Sequence, residues 1–196
     1  MTYVLVSLRG DKATQDADEF ARWFADRRAP SSAFHEESPP HAEVREAASK
    51  TPNALVFAHD GGGSIRAVEE GPPWADAEAF AGMFQGARVW VYACDTRSDV
   101  LEADLETFGR RAQKAGVRVL AGHCGRVKLP FLLPGFPVIH ENLYQGLHRA
   151  FVAFLEGEDD VASLRGAALA GVPLGRAAVV VSPWLSEAMN TLRVLL

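Results

Sequence analysis

The chain has 196 residues, 48% of them hydrophobic and 23% charged, and a formal net charge of −5. That length suits one domain spanning 1–196, with a core large enough to stand without disulfides or metals. The acidic balance and the lack of a basic stripe argue against nucleic acid or an anionic membrane as partner, and no stretch nears the roughly 20 apolar residues of a membrane span.

Taken in chain order, Tyr3–Leu8 reads as a first strand, short, partly β-branched and bounded by Gly10. Asp16–Arg28 reads as a helix, with Phe20, Trp23 and Phe24 on one face. Ala29–His41, rich in proline and serine, reads as an exposed loop, and Glu43–Ser49 as a short helix. Leu55–Ala58 is the second strand, followed by a turn-rich loop over Gly61–Pro73 and a helix from near Trp74 to the Gly82–Gly86 region. Val89–Ala93 is a third strand that alternates little, as strands buried on both faces do. A helix over Asp99–Ala115 is stopped by Gly116. A fourth strand over Val117–Ala121, a proline-rich loop over Lys128–Pro137, helices over Val138–Leu155 and Asp160–Ala170, and a last strand over Ala177–Val181 complete the chain. Alternating strands and helices predict an α/β fold, a mainly parallel sheet with helices on both faces. Both proline-rich loops are expected to act as gates over a substrate cleft.

Chemistry concentrates where two apolar runs end. "NALVFAHDGGG" runs into His59 and "ARVWVYACD" into Cys94, 35 residues further on with one helix between. One right-handed crossover fits that interval and makes the two strands parallel. Ligands of such sheets bind beyond the carboxyl ends of the strands. A thiol and an imidazole brought together there form a nucleophile–base pair, and a neighbouring imidazolium raises the thiolate fraction. The plainer reading makes Cys94 a small buried hydrophobe and His59 the end of a strand. His123 and Cys124 compete for the same role, but adjacent residues of an extended chain point to opposite faces.

Gly61, Gly62 and Gly63 match neither dinucleotide nor nucleotide-phosphate loops; their use is a tight turn in which a carbonyl can approach backbone N–H groups. Glu69, Glu70 and Asp76 read as a solvated face. The two cysteines, Cys94 and Cys124, form no CxxC pair and fit no zinc-finger spacing. No metal and no cofactor is expected. So few cysteines, and a first apolar run too short for a signal peptide, point to the cytoplasm.

The segments "ALVFAHDGG", "ARVWVYACDT" and "AGVRVLAGHCGRV", in that order, resemble the CHAT branch of the caspase-like cysteine peptidases. The tail "HRAFVAFLEGEDDVASLRGA" resembles the two closing helices of that family, and the likeness covers about 54–170. The resemblance implies a caspase-like fold, His59 as general acid/base and Cys94 as nucleophile. It places the oxyanion against the backbone N–H groups of Cys94 and of the residue after the histidine. That residue is Asp60 where the family usually has glycine, so Asp60 or Gly61 fills the role. It further implies a protein or peptide substrate, a regulatory or sensor protein as partner, and a setting in prokaryotic defence or cell suicide. Cleavage after a basic residue is expected, with Asp95 as the substrate-binding carboxylate; otherwise Asp95 caps the next helix. The alternative function is a catalytically silent protein-binding module of the same fold. A flavodoxin-like nucleotide binder fits the element order but lacks a phosphate fingerprint.

Overall fold

The continuous apolar runs of the strands demand cover on both faces, and the computed structural model shows how that cover is supplied. It describes residues 2–60, 63–95, 101–123, 137–171, 185, 189–190 and 192–195, and for 60, 94–95, 101–107, 137–140, 193 and 195 the backbone alone. The strands are β1 (Val4–Ser7), β2 (Ser32–Phe34), β3 (Asn53–Asp60), β4 (Ser64–Arg66), β5 (Pro73–Asp76), β6 (Arg88–Asp95), β7 (Val119–His123) and β8 (Leu192–Leu195). The helices are α1 (Lys12–Arg27), α2 (His41–Ala48), α3 (Ala77–Met83), α4 (Leu101–Lys114), α5 (Pro137–Leu155) and α6 (Val161–Leu169).

The sheet runs β2-β1-β3-β6-β7-β8. Its first five strands are parallel, β8 is antiparallel to β7, and β4 and β5 form an antiparallel extension from the end of β3. Period-2 alternation divides the core. Tyr3, Leu5, Leu55, Phe57, Trp90 and Tyr92 pack with residues of α1, α5 and α6. Val4, Val6, Ala54, Val56, Val89 and Val91 pack with residues of α2, α3 and α4. The first of these layers is largely aromatic, with Phe151 of α5 in tilted or edge-on contact with Phe20, Phe24, Phe57, Trp90 and Tyr92. Each such pair adds about 0.5–1.5 kcal/mol beyond the area it buries. The fold class expected from the element order, α/β with a mainly parallel sheet between two helical layers, is the one observed.

Several elements differ from expectation. Helix α1 begins four residues earlier than its apolar face suggests, because Asp11 caps it. The segment 29–41 is not a plain loop, since it contains β2, hydrogen-bonded to β1 as the outermost parallel strand. Trp74 belongs to β5 rather than to a helix, and the helix starts only after Asp76. Strand β4 lies inside the expected loop of 61–73, and β8 had no counterpart in the sequence reading. The expected strand over 177–181 and residues 128–136 of the proline-rich loop lie outside the described residues, while Pro137 opens α5.

Candidate active site

Strand β3 continues one residue past His59 to Asp60, and β6 pairs with it in parallel from Asn53↔Arg88 through His59↔Cys94 to Asp60↔Asp95. His59 and Cys94 are therefore direct neighbours across the ladder at the carboxyl edge, on strands about 4.8 Å apart. The intervening chain folds as β4, β5 and α3, so the crossover that the interval suggests is real.

His59 is only 3% exposed. Its Nε2 lies 3.0 and 2.9 Å from the two carboxylate oxygens of Asp11. Asp11 reaches it because β1 and β3 are paired neighbours and α1 starts just beyond the end of β1. The start of α1 is fixed by a reciprocal cap. The Thr14 N–H donates to Asp11 Oδ1 at 3.1 Å, and the Asp11 N–H donates to Thr14 Oγ1 at 3.0 Å. Thr14 Oγ1 also accepts from the Gly10 N–H and donates to the Ala67 carbonyl, each at 2.9 Å. Gly10 allows this close approach: a Cβ there would meet Val68 Cγ2 at 2.4 Å and the Ala67 carbonyl oxygen at 2.6 Å. The Glu69 N–H completes the shell of Asp11 with a 3.2 Å bond to Oδ2.

Burial raises the pKa of the Asp11 carboxyl, but the hydrogen bonds from Thr14, His59 and Glu69 outweigh it and the net shift is downward. At neutral pH Asp11 is ionised and only accepts hydrogen bonds, which assigns a proton to Nε2 of His59. The opposite ring nitrogen, Nδ1, is buried with no hydrogen-bond partner among the described residues. Leaving a buried polar atom unpaired costs about 1–3 kcal/mol, so it calls for an explanation. In the neutral ring Nδ1 is the basic nitrogen, free to take a proton from a neighbour.

The other expected residues fare differently. Asp60 sits in the ladder, in register with Ile65 of β4 as well as with Asp95. Asp95 is placed by its backbone alone as the last residue of β6. Gly61, Gly62 and Cys124 lie outside the described residues. His123 is 2% exposed and its Nε2 accepts from Trp90 Nε1 at 3.2 Å, with Tyr92 packed edge-on against its ring. That hydrogen bond occupies the nitrogen a base would use. Asp76 caps α3 by accepting from the Ala79 N–H at 2.8 Å, whereas Glu69 and Glu70 are exposed. No group of three or more His, Cys, Asp or Glu side chains among the described residues could hold a metal ion. No helix among them is long and apolar enough to cross a membrane.

The residue that sequence reasoning missed is Asp11. Its signal was present in "DKAT" (11–14), an aspartate three residues before a threonine at a helix start, a variant of the capping box. A cap predicted there would also have placed a carboxylate at the carboxyl edge beside β3. No family model matches the chain, and no curated protein matches it significantly.

Proposed function

We propose that the protein is a caspase-like cysteine endopeptidase in which Cys94 is the nucleophile, His59 the general acid/base and Asp11 the residue that orients the imidazole. The observation that carries this reading is the ladder register of His59 with Cys94, combined with a histidine held through Nε2 and, among the described residues, unpartnered at Nδ1. Position 94 continues the alternation of Trp90 and Tyr92, as position 59 continues that of Leu55 and Phe57, so the pattern puts both on the α1 side of the sheet.

In this mechanism Nδ1 takes the thiol proton and the thiolate attacks a peptide carbonyl. The imidazolium then returns the proton to the departing amine, and water releases the acyl group from sulfur. Backbone N–H groups at the ends of the two strands, from Cys94 and from Asp60 or Gly61, receive the oxyanion. The ionised Asp11 fixes the tautomer and stabilises the imidazolium without accepting its proton. The same resemblance that suggested the dyad supports a protein substrate and a separate regulatory chain.

The test is cleavage of a peptide library by wild type, Cys94→Ala, His59→Ala and Cys124→Ala, with circular dichroism to verify folding. Cys94→Ala should abolish turnover and Cys124→Ala should leave it intact. Full activity in a folded Cys94→Ala protein would defeat the assignment. A folded wild type that binds peptides but cleaves none would point instead to the silent binding module.

A further inference from the structure

A half-open groove of about 70 Å³ is lined by Glu37, Ser38, Ala67, Val68, Pro72, Pro73 and Trp74. Ligand pockets usually run to about 300–1,000 Å³, so this one has room for a single side chain and not for a whole small molecule. Both walls are tied down. On one, the Arg66 guanidinium donates to Ser64 Oγ at 3.0 Å and to the Gly71 carbonyl at 2.9 Å, and the Gly71 N–H donates to the Val68 carbonyl at 3.0 Å. On the other, Trp74 Nε1–H donates to the Pro39 carbonyl at 2.9 Å and His41 Nε2–H donates to the Trp74 carbonyl at 2.7 Å. The segment 35–40, part of a loop expected to act as a gate, is held here by hydrogen bonds to its Glu36 and Pro39 carbonyls.

The lining of the groove is apolar apart from Glu37 and Ser38, and the groups beside it carry both signs, with the Arg66 guanidinium held at one wall on Ser64 Oγ and the Gly71 carbonyl. Glu37 lines it, and Glu36, Glu69 and Glu70 stand exposed beside it in the chain. Among the described residues none of these four carboxylates makes an ion pair. An aliphatic stem ending in a cation matches such a lining, which is the form of a lysine or arginine side chain.

We propose that this groove is a specificity subsite that takes a basic side chain of the peptide substrate, at a position away from the scissile bond. The proposal rests on the peptidase reading above. The Arg9 N–H donates to the Glu36 carbonyl at 3.1 Å, which sets the groove wall over the end of β1. Ala67 of the lining directly follows Arg66, the register partner of His59, so the groove borders the carboxyl edge of the sheet at which His59 and Cys94 stand in register. The recognition is a carboxylate–cation pair at a half-open rim, with the prolines, Val68 and Trp74 covering the stem.

The experiment measures binding without turnover, using folded Cys94→Ala protein and fluorescein-labelled decapeptides of alanine, serine and glycine. Lysine, norleucine or glutamate is placed in turn at each position, and affinity is read by fluorescence anisotropy. Norleucine keeps the stem and removes the charge. At one position lysine should bind roughly three- to tenfold tighter than norleucine, the range for a partly exposed charge-assisted pair. Glu37→Gln should erase that preference and Glu37→Lys should reverse it in favour of glutamate. Glu46→Lys, the same charge change near the other end of α2, should leave it unchanged. Equal affinity for lysine and norleucine at every position, or a lysine preference that survives Glu37→Lys, overturns the proposal. Wild-type cleavage of the same peptides separates the two claims. Lysine-dependent binding without cleavage upholds the groove and rejects the peptidase, whereas cleavage indifferent to lysine rejects the groove alone.

Discussion

Helix α1 carries two aspartates that each hold a histidine, and the two pairs behave differently. Asp11, at the helix start, meets Nε2 of His59 at 2.9 Å. Asp18, two turns on, meets Nδ1 of His35 at 2.5 Å. The Asp18 carboxylate is 4% exposed and also binds Arg22 Nε at 2.8 Å and Arg9 Nε at 3.2 Å. Three cationic or donor groups converge on it and bind the end of β1, the residue after β2 and α1 to one another. Asp11, by contrast, has His59 as its one basic partner among the described residues and otherwise accepts from the backbone N–H groups of Thr14, in its own helix, and of Glu69. The lesson is that an aspartate–histidine contact is not itself a chemical site. What distinguishes Asp11–His59 is a second nitrogen that is fully buried as well as unpartnered among the described residues, where the His35 ring is partly exposed, and a cysteine in register on the next strand.

Among changes to the two pairs, the largest effect should come from His59→Ala, which removes both thiol activation and leaving-group protonation. A loss of about 10²–10⁴ in kcat is expected from general acid–base catalysis alone. Asp11→Asn should keep the cap but disturb the tautomer, lowering kcat with little change in KM, and thermal melting should show that the fold survives. Asp11→Ala adds a stability cost of about 0.5–2 kcal/mol for the lost cap, readable by urea denaturation. If Asp11→Asn and Asp18→Asn lowered the reactivity of Cys94 equally, the contrast between the pairs would be lost.

Gly10→Ala acts on only one side of the comparison. Its Cβ would collide with the Ala67 backbone and Val68, costing about 1–3 kcal/mol and displacing Asp11. Denaturation midpoints and turnover should therefore fall together. Asp18→Ala should destabilise by about 1–3 kcal/mol, since Arg9 and Arg22 are half exposed and water can solvate them once freed. The same variant should leave the alkylation rate of Cys94 unchanged.

Acid should weaken both pairs, by the smallest of these effects at ordinary pH. Burial raises the pKa of each carboxyl, yet hydrogen bonds prevail and both lie below the ordinary 3.8: Thr14, His59 and Glu69 for Asp11, and His35 and Arg22 for Asp18. A depressed carboxylate pKa adds stability that is complete above the unfolded value and is lost as pH falls through the folded one. Urea midpoints should thus hold steady in this respect from pH 7 to 5 and drop below about pH 4. Asp18→Asn should flatten that drop; an unaltered acid limb would contradict the role assigned to Asp18.

Long elements and the juxtaposition of positions 59 and 94 were legible because their signals are periodic. The apolar runs ending at His59 and Cys94, and the crossover-length interval between them, fix two parallel strands and their common edge. Strands β2, β4 and β5 were illegible for a physical reason. With three or four residues each, they carry no usable alternation and owe their conformation to hydrogen bonds from neighbours. Trp74 illustrates the ambiguity: a buried aromatic near a helix start reads as the helix, but Asp76 is the cap and Trp74 precedes it. Asp11 went unread because the reading of α1 followed Phe20, Trp23 and Phe24, and the apolar face says nothing about the polar turn before it. The groove at Glu37 joins segments about 30 residues apart and could come only from the folded chain.

The central claim is that His59 activates Cys94, and it can be tested without knowing any substrate. The measurement is the rate of iodoacetamide alkylation at Cys94 and Cys124, followed by peptide mass spectrometry from pH 5.5 to 8.5 in wild type and His59→Ala. The account predicts that Cys94 reacts at least about tenfold faster than Cys124 near pH 7, because a paired imidazole raises the thiolate fraction. His59→Ala should return Cys94 to the pH profile of an ordinary thiol, with its rise near pH 8.5. Equal rates at the two cysteines, or a Cys94 profile unmoved by His59→Ala, would contradict it.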